Sequence, residues 1–555
     1  MKEGVAFLLT HLPICMIYLF MSQQPNKQFP FSFQFPQWRR SGSLQVANTN
    51  ITSHGDTSTL RVGIIGGGIA GVSVAHALVG KFLRDKRKCD IVVIEGDPYA
   101  CSNSFNKPVT NQWKAATARN ANSMVPAAAM HVFSEKSALW NVLRDTLVEF
   151  YELKREQLQS LWPSSTQKIT RSEQFAIAPP YFALHLWKCI GSTASSAERW
   201  SFITFMKHYL RASLWRNDAH ERGKQLVALA AANRNLFLQY SQNSTTFSRG
   251  FLSLHRTADS AKQALDEIHE FGESAEMISW ERTIQLEPRL GRLPIQPLFT
   301  VHRTNDIIAN CGAFVKSLVN KCEKTGVLFR NATVKGVIAL DGPKPKYRVT
   351  FEDGSSDDFD VVVLAAGIRN ALLAAGMGLG DYVPIYPLRG YSFTLNFESP
   401  VNEEKKIHMN KPFSVDSIYC SSISPTSTRM AGFGEFVGYP EKAGDVPSLG
   451  PKILTRYSQV LFPDATNATI AKILPCFRPM SPDDMPLAGE IRPGLFVHGG
   501  HGTLGWTLGL ATGECVAQAM ADYINGGQDT PAMYFEFPDG SKIQRSILSP
   551  NRFLN

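Results

Sequence analysis

The stretch Arg61–Phe82, RVGIIGGGIAGVSVAHALVGKF, decides the fold. Its apolar run Val62–Ile65 predicts a buried parallel strand, and the amphipathic residues at its end predict a helix. The turn between them has the spacing Gly66-x-Gly68-x-x-Gly71. In such a turn the first glycine makes the tight bend and the second lets backbone amides approach a pyrophosphate. The third allows the helix to pack closely on the strand.

A second strand and an acid complete this unit. Ile91–Ile94 is another apolar run, and Glu95 at its end stands 24 residues after Gly71. An acid at this place can accept hydrogen bonds from ribose hydroxyls and disfavours the 2′-phosphate of NADP. We therefore predict a dinucleotide site, FAD or NAD, that is formed by Glu95 and the loop residues Gly66, Gly68, Ile69, Ala70 and Gly71.

Composition narrows the class of protein. The chain has 555 residues, 44% of them hydrophobic and 19% charged, which excludes a disordered, collagen-like or coiled-coil protein. Its net charge is +9, but no nucleic-acid-binding motif accompanies this charge, so we predict no nucleic-acid partner. The nine cysteines contain no Cys-x-x-Cys pair, which favours reduced thiols and no bound metal.

Residues 1–60 are typical of a targeting region and linker. Val5–Met21 is a 17-residue apolar run, and Ser22–Leu60 is rich in Gln, Asn, Ser and Thr. Import into an organelle, mitochondrion or plastid, is the favoured destination. A membrane anchor through Val5–Met21, the secretory pathway and a cytoplasmic location stay open as alternatives.

Two later segments resemble further pieces of the same sheet. Asp360–Gly367 is an apolar strand that ends in small residues, and Leu495–Val497 is a short strand that opens into a second glycine-rich turn. More than 400 residues separate this turn from the first one. A nucleotide-binding domain that is built from such distant segments implies a second domain inserted between them.

Four further motifs can be compared with known families. They are TARNANSMVP at Thr117–Pro126, PLRGYSFTL at Pro387–Leu395, FRPMSPDDMPLAG at Phe477–Gly489 and GHGTLGW at Gly500–Trp506. With the glycine loop and Glu95, they resemble the D-amino acid oxidase superfamily of FAD-dependent oxidoreductases. The D-amino acid dehydrogenase (small-subunit type) group is the most similar, over about residues 61–525, and GHGTLGW is the most discriminating motif.

The resemblance implies an α/β chain of the D-amino acid oxidase type. A Rossmann-like FAD-binding domain would be interleaved with an α+β substrate-binding domain, and FAD would be bound noncovalently. We expect residues 61–130, 299–380 and 471–530 in the FAD-binding domain, residues 131–298 and 381–470 in the substrate domain, and residues 531–555 in a tail.

The resemblance also assigns catalytic roles. Arg478 would bind the substrate carboxylate, which suits the bidentate geometry of a guanidinium group; its alternative is a structural salt bridge to Asp483 or Asp484. Tyr391 would lie on the substrate side and bond the carboxylate or the amine. His501 would lie beside the flavin ring without acting as an obligatory base, since the hydride is expected to pass directly from the substrate to the flavin.

Further cofactor contacts follow from the same resemblance. Backbone amides at the start of the last long helix are expected to face the flavin C2 carbonyl, where positive potential stabilises the reduced ring. The segment around residue 121 would pass the isoalloxazine ring, and a strand residue would meet the adenine. The residues concerned are Gly502, Thr503, Leu504, Gly505, Trp506, Thr507, Asn120, Ala121, Asn122, Val334 and Gly367.

The chain departs from the family pattern in three places. The turn Pro482-Asp483-Asp484 lacks the usual glycine, and Leu504 stands where some relatives carry a basic residue, so Arg478 becomes the chief carboxylate anchor. His131–Lys168 is an expansion of unpredicted role.

The expected reaction is oxidation of the C–N bond of an amino acid, preferably a D-amino acid, with a quinone, an electron carrier or O2 as the final acceptor. The alternatives are a glycine- or sarcosine-like secondary-amine oxidoreductase, a hydroxy-acid oxidoreductase, and a non-catalytic flavin-binding scaffold.

Overall fold

The computed structural model describes residues 59–85, 89–97, 123–124, 189, 194–216, 218–241, 247–294, 296–396, 409–415, 418–424, 427–440, 450–463, 469–470, 473–526 and 532–554. These all lie in the unit Thr59–Asn555. Three predictions fall outside the described residues: the apolar run Val5–Met21, the cofactor contacts of Asn120, Ala121 and Asn122, and the expansion His131–Lys168.

The strands of the described residues, in chain order, are β1 Leu60–Ile65, β2 Cys89–Glu95, β3 Ser123–Met124, β4 Phe247–His255, β5 Ala275–Ile278, β6 Phe299–Ala309, β7 Leu328–Asn331, β8 Val334–Leu340, β9 Lys346–Phe351, β10 Ser356–Phe359, β11 Val361–Leu364, β12 Tyr386–Asn396, β13 Phe413–Val415, β14 Ile418–Ser424, β15 Ser427–Glu435, β16 Thr469–Ile470, β17 Leu474–Met480, β18 Leu487–Arg492, β19 Leu495–Gly499, β20 Tyr534–Glu536 and β21 Lys542–Gln544. The helices are α1 Ile69–Asp85, α2 Ser196–Trp215, α3 Ala219–Tyr240, α4 Ala258–Glu270, α5 Trp280–Leu286, α6 Cys311–Lys324, α7 Asn370–Gly376, α8 Gly450–Leu461, α9 Gly505–Ile524 and α10 Arg545–Leu548.

A six-stranded sheet is built around the strand predicted from Val62–Ile65. Its order is β18–β19–β11–β1–β2–β7; the last five strands are parallel, and β18 pairs antiparallel with β19. Both faces of the central strands are covered: Val361 and Val363 join one core cluster, and Val362 and Leu364 join another. Burial on both faces explains why these strands appear in the sequence as continuous apolar runs.

A ten-stranded mixed sheet forms the second large sheet of the fold. Strands β16–β12–β15–β14–β13–β4–β6–β3 follow one another across it, with β17 paired to β12 and β5 paired to β6. The segments of this sheet alternate along the chain with those of the first sheet. The fold class is therefore confirmed: a Rossmann-like α/β domain is interleaved with an α+β domain of the D-amino acid oxidase type.

Three strands differ from the expected domain boundaries. Strand β3 lies in the predicted FAD-binding segment 61–130 but pairs with β6 in the ten-stranded sheet. Strand β6 lies in the predicted FAD-binding segment 299–380 but pairs with β4 in the ten-stranded sheet. Strand β17 lies in the predicted segment 471–530 but pairs with β12 of the same sheet. The sheet to which such a strand belongs depends on pairing with distant residues, which the local sequence does not contain. The remaining boundaries stay predictions.

The largest core cluster covers one face of the parallel sheet with α1, α3, α6 and α9. Helices α1 and α9 approach closely because α9 presents glycines there. A Cβ on Gly509 would lie 3.1 Å from Ile69 Cγ1, and one on Gly513 would lie 2.8 Å from Ser73 Cβ. The first glycine loop and the start of α9 are thereby held side by side. None of the described helices is both long enough and apolar enough to cross a bilayer.

Candidate active site

The first glycine loop has the geometry of a phosphate cradle. Gly66 has a φ of +119°, which favours glycine, and its N–H donates to the Ile94 carbonyl over 2.8 Å. A Cβ on Gly66 would collide with the Ala365 carbonyl, and a Cβ on Gly71 would collide with the carbonyl of Gly66. Both glycines are therefore required for the close approach of β1, β11 and α1, as the sequence predicts for such a loop.

Glu95 lies at the end of β2 against this loop. Its carboxylate accepts hydrogen bonds from the N–H groups of Gly67, at 2.6 Å, and Asp97, at 2.8 Å. Burial raises the pKa of Glu95 although these hydrogen bonds oppose the shift. The carboxylate thus fixes the loop, and the ribose contact expected of Glu95 would use the same group.

Two other predicted cofactor residues lie at neighbouring strand ends. Val334 begins β8, two residues after Ala332, whose N–H donates to the Glu95 carbonyl over 3.0 Å. Gly367 follows β11 with a φ of +61°, close to the Ala365 carbonyl that packs on Gly66. The structure therefore brings both residues to the carboxyl edge of the parallel sheet, where ligands of such sheets bind.

The second glycine turn leads into α9. Gly500 and Gly502 have φ values of +71° and +54°, and residues Gly502–Leu504 form one 3₁₀ turn before the helix. The predicted residues from Gly502 to Thr507 form the N-terminal end of α9. The indole of Trp506, however, is buried against Phe237 and Phe314, with ring centroids 5.5 and 5.3 Å apart. Backbone groups are thus what this turn can offer a cofactor.

Asn233 of α3 shapes the first turns of α9, and the sequence analysis missed it. Its Nδ2 donates to the Trp506 carbonyl over 3.2 Å, and its Oδ1 accepts from the Leu510 N–H over 2.8 Å. These two backbone groups would otherwise bond to each other as residues i and i−4 of the helix. The fully buried amide is therefore inserted into the helix ladder.

His498 and His501 share the hydroxyl of Thr512. His498 Nε2 lies 2.7 Å and His501 Nε2 lies 2.9 Å from Thr512 Oγ1, and His498 Nδ1 lies 2.8 Å from the Ala70 carbonyl. Burial lowers the pKa of His498 to about 4, so its ring is neutral at pH 7. The sequence analysis also missed His498 and Thr512; the histidine in the strand end LFVHG was the available signal.

Hydrogen-bond chemistry assigns the protons along this chain. A carbonyl only accepts, so His498 Nδ1 carries the proton and its Nε2 must accept from the Thr512 hydroxyl. That hydroxyl also lies 2.9 Å from the Leu508 carbonyl, but its single proton is committed to His498. His501 Nε2 then donates to Thr512, which leaves Nδ1 of His501 deprotonated. The chain joins Ala70 in the first glycine loop to His501 in the second glycine turn.

His501 is a buried, neutral ring. Burial, together with the neighbouring His498, lowers the pKa of His501 well below its usual value. The structure places it beside the second glycine turn, where the resemblance expects it. Its hydrogen bond to Thr512 helps to hold the two glycine turns in position relative to each other. Its catalytic role stays a prediction.

Arg478 lies on β17 and is partly buried. Its Nη1 donates to the Phe433 carbonyl over 2.6 Å, and burial lowers the pKa of its guanidinium group. Among the residues that the structure describes, no carboxylate forms an ion pair with it. Asp483, the alternative partner, accepts instead from Arg552, at 2.9 Å, and Arg216, at 3.2 Å. A structural salt bridge to Asp483 is thus ruled out, and the guanidinium is suited to an external anion.

The carbonyl that holds Arg478 is presented by a strained bulge. Phe433 has a φ of +67°, one of two non-glycine residues with positive φ in the described part of the chain. At this point β15 contains one extra residue opposite β12, between the pairs Arg389–Glu435 and Tyr391–Gly432. Such bulges and strained residues gather at functional sites, where they direct individual groups.

Strand alternation directs Arg478 toward the second glycine turn. Arg478 pairs with Leu388 of β12 and therefore shares a face with Met480, two residues further along β17. Met480 bridges to His501, and its Sδ would lie 2.9 Å from a Cβ on Gly502. Arg478, the predicted carboxylate anchor, and the turn expected to hold the flavin are thus on the same side of the sheet.

Tyr391 does not join this group. Tyr391 pairs with Pro475, which stands three residues before Arg478 on β17. Because successive residues of a strand alternate between faces, the side chains of Tyr391 and Arg478 lie on opposite faces of the sheet. There its hydroxyl donates to Glu435 over 3.3 Å, beside the ion pair of Arg389 with Glu435 at 2.9 Å. Strand register thus separates the side chains of Tyr391 and Arg478. The expected contact of Tyr391 with the substrate carboxylate or amine stays a prediction.

The parallel sheet and the two glycine turns define a dinucleotide-binding protein. The profile of the family described as FAD dependent oxidoreductase (DAO) matches residues 188–519. The chain belongs to this family and is an FAD-dependent oxidoreductase.

Similar proteins support this assignment. A D-amino acid dehydrogenase of Neisseria meningitidis serogroup C (strain 053442) is 27% identical over 314 residues, which are 55% of this chain and 71% of that protein. The D-amino acid dehydrogenase of Sinorhizobium medicae (strain WSM419) is 28% identical over 302 residues, or 53% and 68% of the two chains.

Solved structures share the fold. L-proline dehydrogenase from P. horikoshii has a TM-score of 0.54 at 15% identity, covering 90% of this chain and 98% of that one. Iminodiacetate oxidase from Chelativorans sp. BNC1 has a TM-score of 0.52 at 16% identity, covering 85% and 97%.

The residues present fit FAD. The cradle at Gly66 and Gly71 admits no Cβ, so backbone can approach a pyrophosphate, and Glu95 stands at the end of β2. The N-terminal end of α9 would supply the second contact surface. It is tied to the first glycine loop by the hydrogen bonds that run from Ala70 through His498 and Thr512 to His501.

Proposed function

We propose that the protein oxidises the C–N bond of an amino acid, with D-amino acids as its substrate class and noncovalently bound FAD as the immediate electron acceptor. The single observation that carries this proposal is Arg478. It is a guanidinium group of lowered pKa with no carboxylate ion-pair partner among the described residues, and it lies on the face of the sheet that carries the second glycine turn.

Desolvation of a partly buried cation without a counter-ion costs free energy, and a substrate carboxylate offsets that cost. A bidentate guanidinium–carboxylate pair also fixes the orientation of the α-carbon, which is the main requirement for direct hydride transfer. The names of the relatives from Neisseria meningitidis and Sinorhizobium medicae support amino acids of the D-series.

Bound FAD supplies the hydride-accepting chemistry. The chain's own residues bind and orient the substrate. Arg478 holds the carboxylate, and the N-terminal end of α9 provides positive potential. Burial holds the pKa of His501 well below its usual value, which makes the ring a weak base, so the proposal assigns it no proton abstraction from the α-carbon. Substrate therefore has to bind with its amine neutral.

Noncovalent attachment of FAD is supported by the described cysteines of the core. Burial raises the pKa of Cys311 and of Cys515, which disfavours the thiolate that a covalent bond to flavin would need. The acceptor that reoxidises the flavin stays open among a quinone, an electron carrier and O2. Import into an organelle stays a proposal that a fluorescent fusion of residues 1–60 tests.

The test combines a spectrum with a substrate panel. Purified protein should be yellow, and denaturation should release the flavin. Anaerobic mixing with D-amino acids should bleach the flavin faster than mixing with L-amino acids, N-methylated amino acids or 2-hydroxy acids. Bleaching only by N-methylated or hydroxy acids would indicate one of the alternative substrate classes, and no bleaching by any compound would indicate a flavin-binding scaffold.

Arg478→Ala tests the anchor. We expect kcat/KM for the best D-amino acid to fall about 100-fold, equivalent to roughly 2.7 kcal/mol, with the flavin spectrum unchanged. The matched control is Arg348→Ala, which removes an exposed arginine of β9. Equal activity of Arg478→Ala and the parent would overturn the proposed role of Arg478.

A further inference from the structure

Helix α2 exposes an unusual combination of side chains. Trp200 is 53% exposed, Ile203 42% and Trp215 63%. Between them, Lys207 and Arg211 are also exposed. Steps of three or four residues separate all five, so they follow one side of the helix. We call these five residues the tryptophan–lysine face.

The opposite side of α2 is fixed in the protein. Phe202 and Phe205 are buried in a core cluster with Tyr386 of β12. The Ser201 hydroxyl, also buried, lies 3.1 Å from the Ile385 carbonyl. The helix cannot rotate to hide its tryptophans without breaking this packing. Among the described residues, its tryptophan–lysine face therefore stays on the outer side of the helix.

The charge of this face indicates which kind of surface it binds. No acidic residue occurs between Trp200 and Trp215, and the two cations lie between the aromatic residues. A protein partner would require a complementary surface, whereas tryptophan rings and the stems of lysine and arginine together match the interface of a bilayer. The face extends about 22 Å at 1.5 Å per residue, the size of an interfacial amphipathic helix.

We propose that the tryptophan–lysine face of α2 docks the protein onto anionic lipid membranes. Trp200, Ile203 and Trp215 insert between head groups at the acyl boundary, and Lys207 and Arg211 bind lipid phosphates and other anionic head groups. This attachment is peripheral and independent of the apolar run Val5–Met21. It also does not depend on the proposed substrate.

Vesicle co-sedimentation of the full chain tests the proposal. The vesicles contain phosphatidylcholine alone or phosphatidylcholine with phosphatidylserine. We expect the parent to bind the phosphatidylserine vesicles about tenfold more tightly and to dissociate as salt rises. Trp200→Gln/Trp215→Gln should weaken binding to both vesicle types. Lys207→Gln/Arg211→Gln should remove only the preference for phosphatidylserine. The matched control is Leu328→Gln on β7, a residue that is 63% exposed on a different element.

Three outcomes would overturn the proposal. The first is parent-like binding by both double variants, which would assign any membrane affinity to another segment. The second is a clear fall in the melting temperature of Trp200→Gln/Trp215→Gln without vesicles, which would show that the protein's own chain covers the face. The third is a parent that sediments as a dimer while Trp200→Gln/Trp215→Gln sediments as a monomer, which would assign the face to contact with a second copy of the chain. An unchanged melting temperature with lost vesicle binding supports it.

Discussion

The guanidinium group of Arg478 occupies the space that a side chain on Gly390 would need. A Cβ on Gly390 would lie 2.5 Å from Arg478 Nη2 and 3.0 Å from the Phe433 carbonyl oxygen. Gly390 has no positive φ, so the constraint is space and not backbone conformation. The glycine of the PLRGYSFTL motif therefore has a physical task, which is to let Arg478 lie across β12 and reach the carbonyl of the bulge.

Gly390→Ala should displace Arg478. Because a misplaced anchor shifts the α-carbon relative to the flavin, we expect kcat/KM to fall by about tenfold to 100-fold while the flavin spectrum is retained. Steady-state kinetics with the best substrate measure the effect. Gly336→Ala is the matched control, since its Cβ would meet nothing nearer than Thr350 Oγ1 at 3.4 Å. Parent-like kinetics of Gly390→Ala would contradict the crowding described here.

Asn233→Ala should destabilise the protein. The change removes the partners of the Trp506 carbonyl and the Leu510 N–H, both of which lie in a buried environment. We expect the free energy of unfolding to fall by about 2–4 kcal/mol, measured by urea denaturation. Asn235→Ala, two residues along the same helix at an exposed position, is the control. A loss no larger than that of the control would mean that the Trp506 carbonyl and the Leu510 N–H bond to each other in the variant, so that α9 loses no stability.

Asp483→Asn should weaken the attachment of the C-terminal end. Burial acts to raise the pKa of Asp483, but Arg552, Arg216 and Arg222 outweigh it and hold that pKa below the usual value of 3.8. Breaking this buried pair should cost about 3–5 kcal/mol near neutral pH. The carboxylate has a lowered pKa in the folded state, so its contribution is present above pH 3.8 and is lost as pH falls further. The difference from the parent should therefore narrow in acid.

Urea denaturation across this pH range measures the effect of Asp483→Asn. The control is Asp358→Asn, which breaks an ion pair to Arg348 with contacts of 2.7 and 2.8 Å. That pair has similar geometry but is exposed, so its loss should be much smaller. Equal losses for the two variants would mean that burial adds nothing to the Asp483 pair.

The first glycine loop could be predicted from the sequence because its parts are contiguous. Gly66, Gly71 and Glu95 belong to one strand–turn–helix–strand unit, and local spacing determines where each of them lies. Apolar runs and turns also predicted a second domain inserted into the nucleotide-binding one, whereas the fold class came from the resemblance to the D-amino acid oxidase superfamily. Whether β6 and β17 belong to one sheet or the other depends on long-range pairing, which spacing does not contain.

The rest of the site depends on distant contacts. Tyr391 and Arg478 lie on opposite faces because Leu388 pairs with Arg478, 90 residues further along the chain. The insertion of Asn233 into α9 likewise joins residues that are 273 and 277 positions apart. A buried asparagine within an otherwise apolar helix is a signal for such a contact, but it does not identify the partner.

The buried histidines should make the protein sensitive to mild acid. Burial lowers the pKa of His76, His208 and His498 from the usual value of 6.5 to about 4, and it lowers the pKa of His501 well below that usual value. The folded state keeps these rings neutral while the unfolded state takes up protons. Above pH 6.5 the rings do not reduce the free energy of unfolding. As pH drops from 6.5 toward 4, each ring lowers that free energy by about 1.4 kcal/mol per pH unit.

His498→Asn should therefore reduce the slope of the free energy of unfolding against pH between pH 6.5 and pH 4. The reduction should correspond to about one proton, or roughly 1.4 kcal/mol per pH unit. It should also lower stability near neutral pH, because Ala70 and Thr512 lose their shared partner. His220→Gln removes an exposed histidine of α3 and controls for the loss of a ring as such. An unchanged slope in His498→Asn would mean that His498 takes up its proton in the folded protein. In that case Nε2 would carry a proton, the Thr512 hydroxyl would be released to the Leu508 carbonyl, and the proton arrangement assigned to His501 would be wrong.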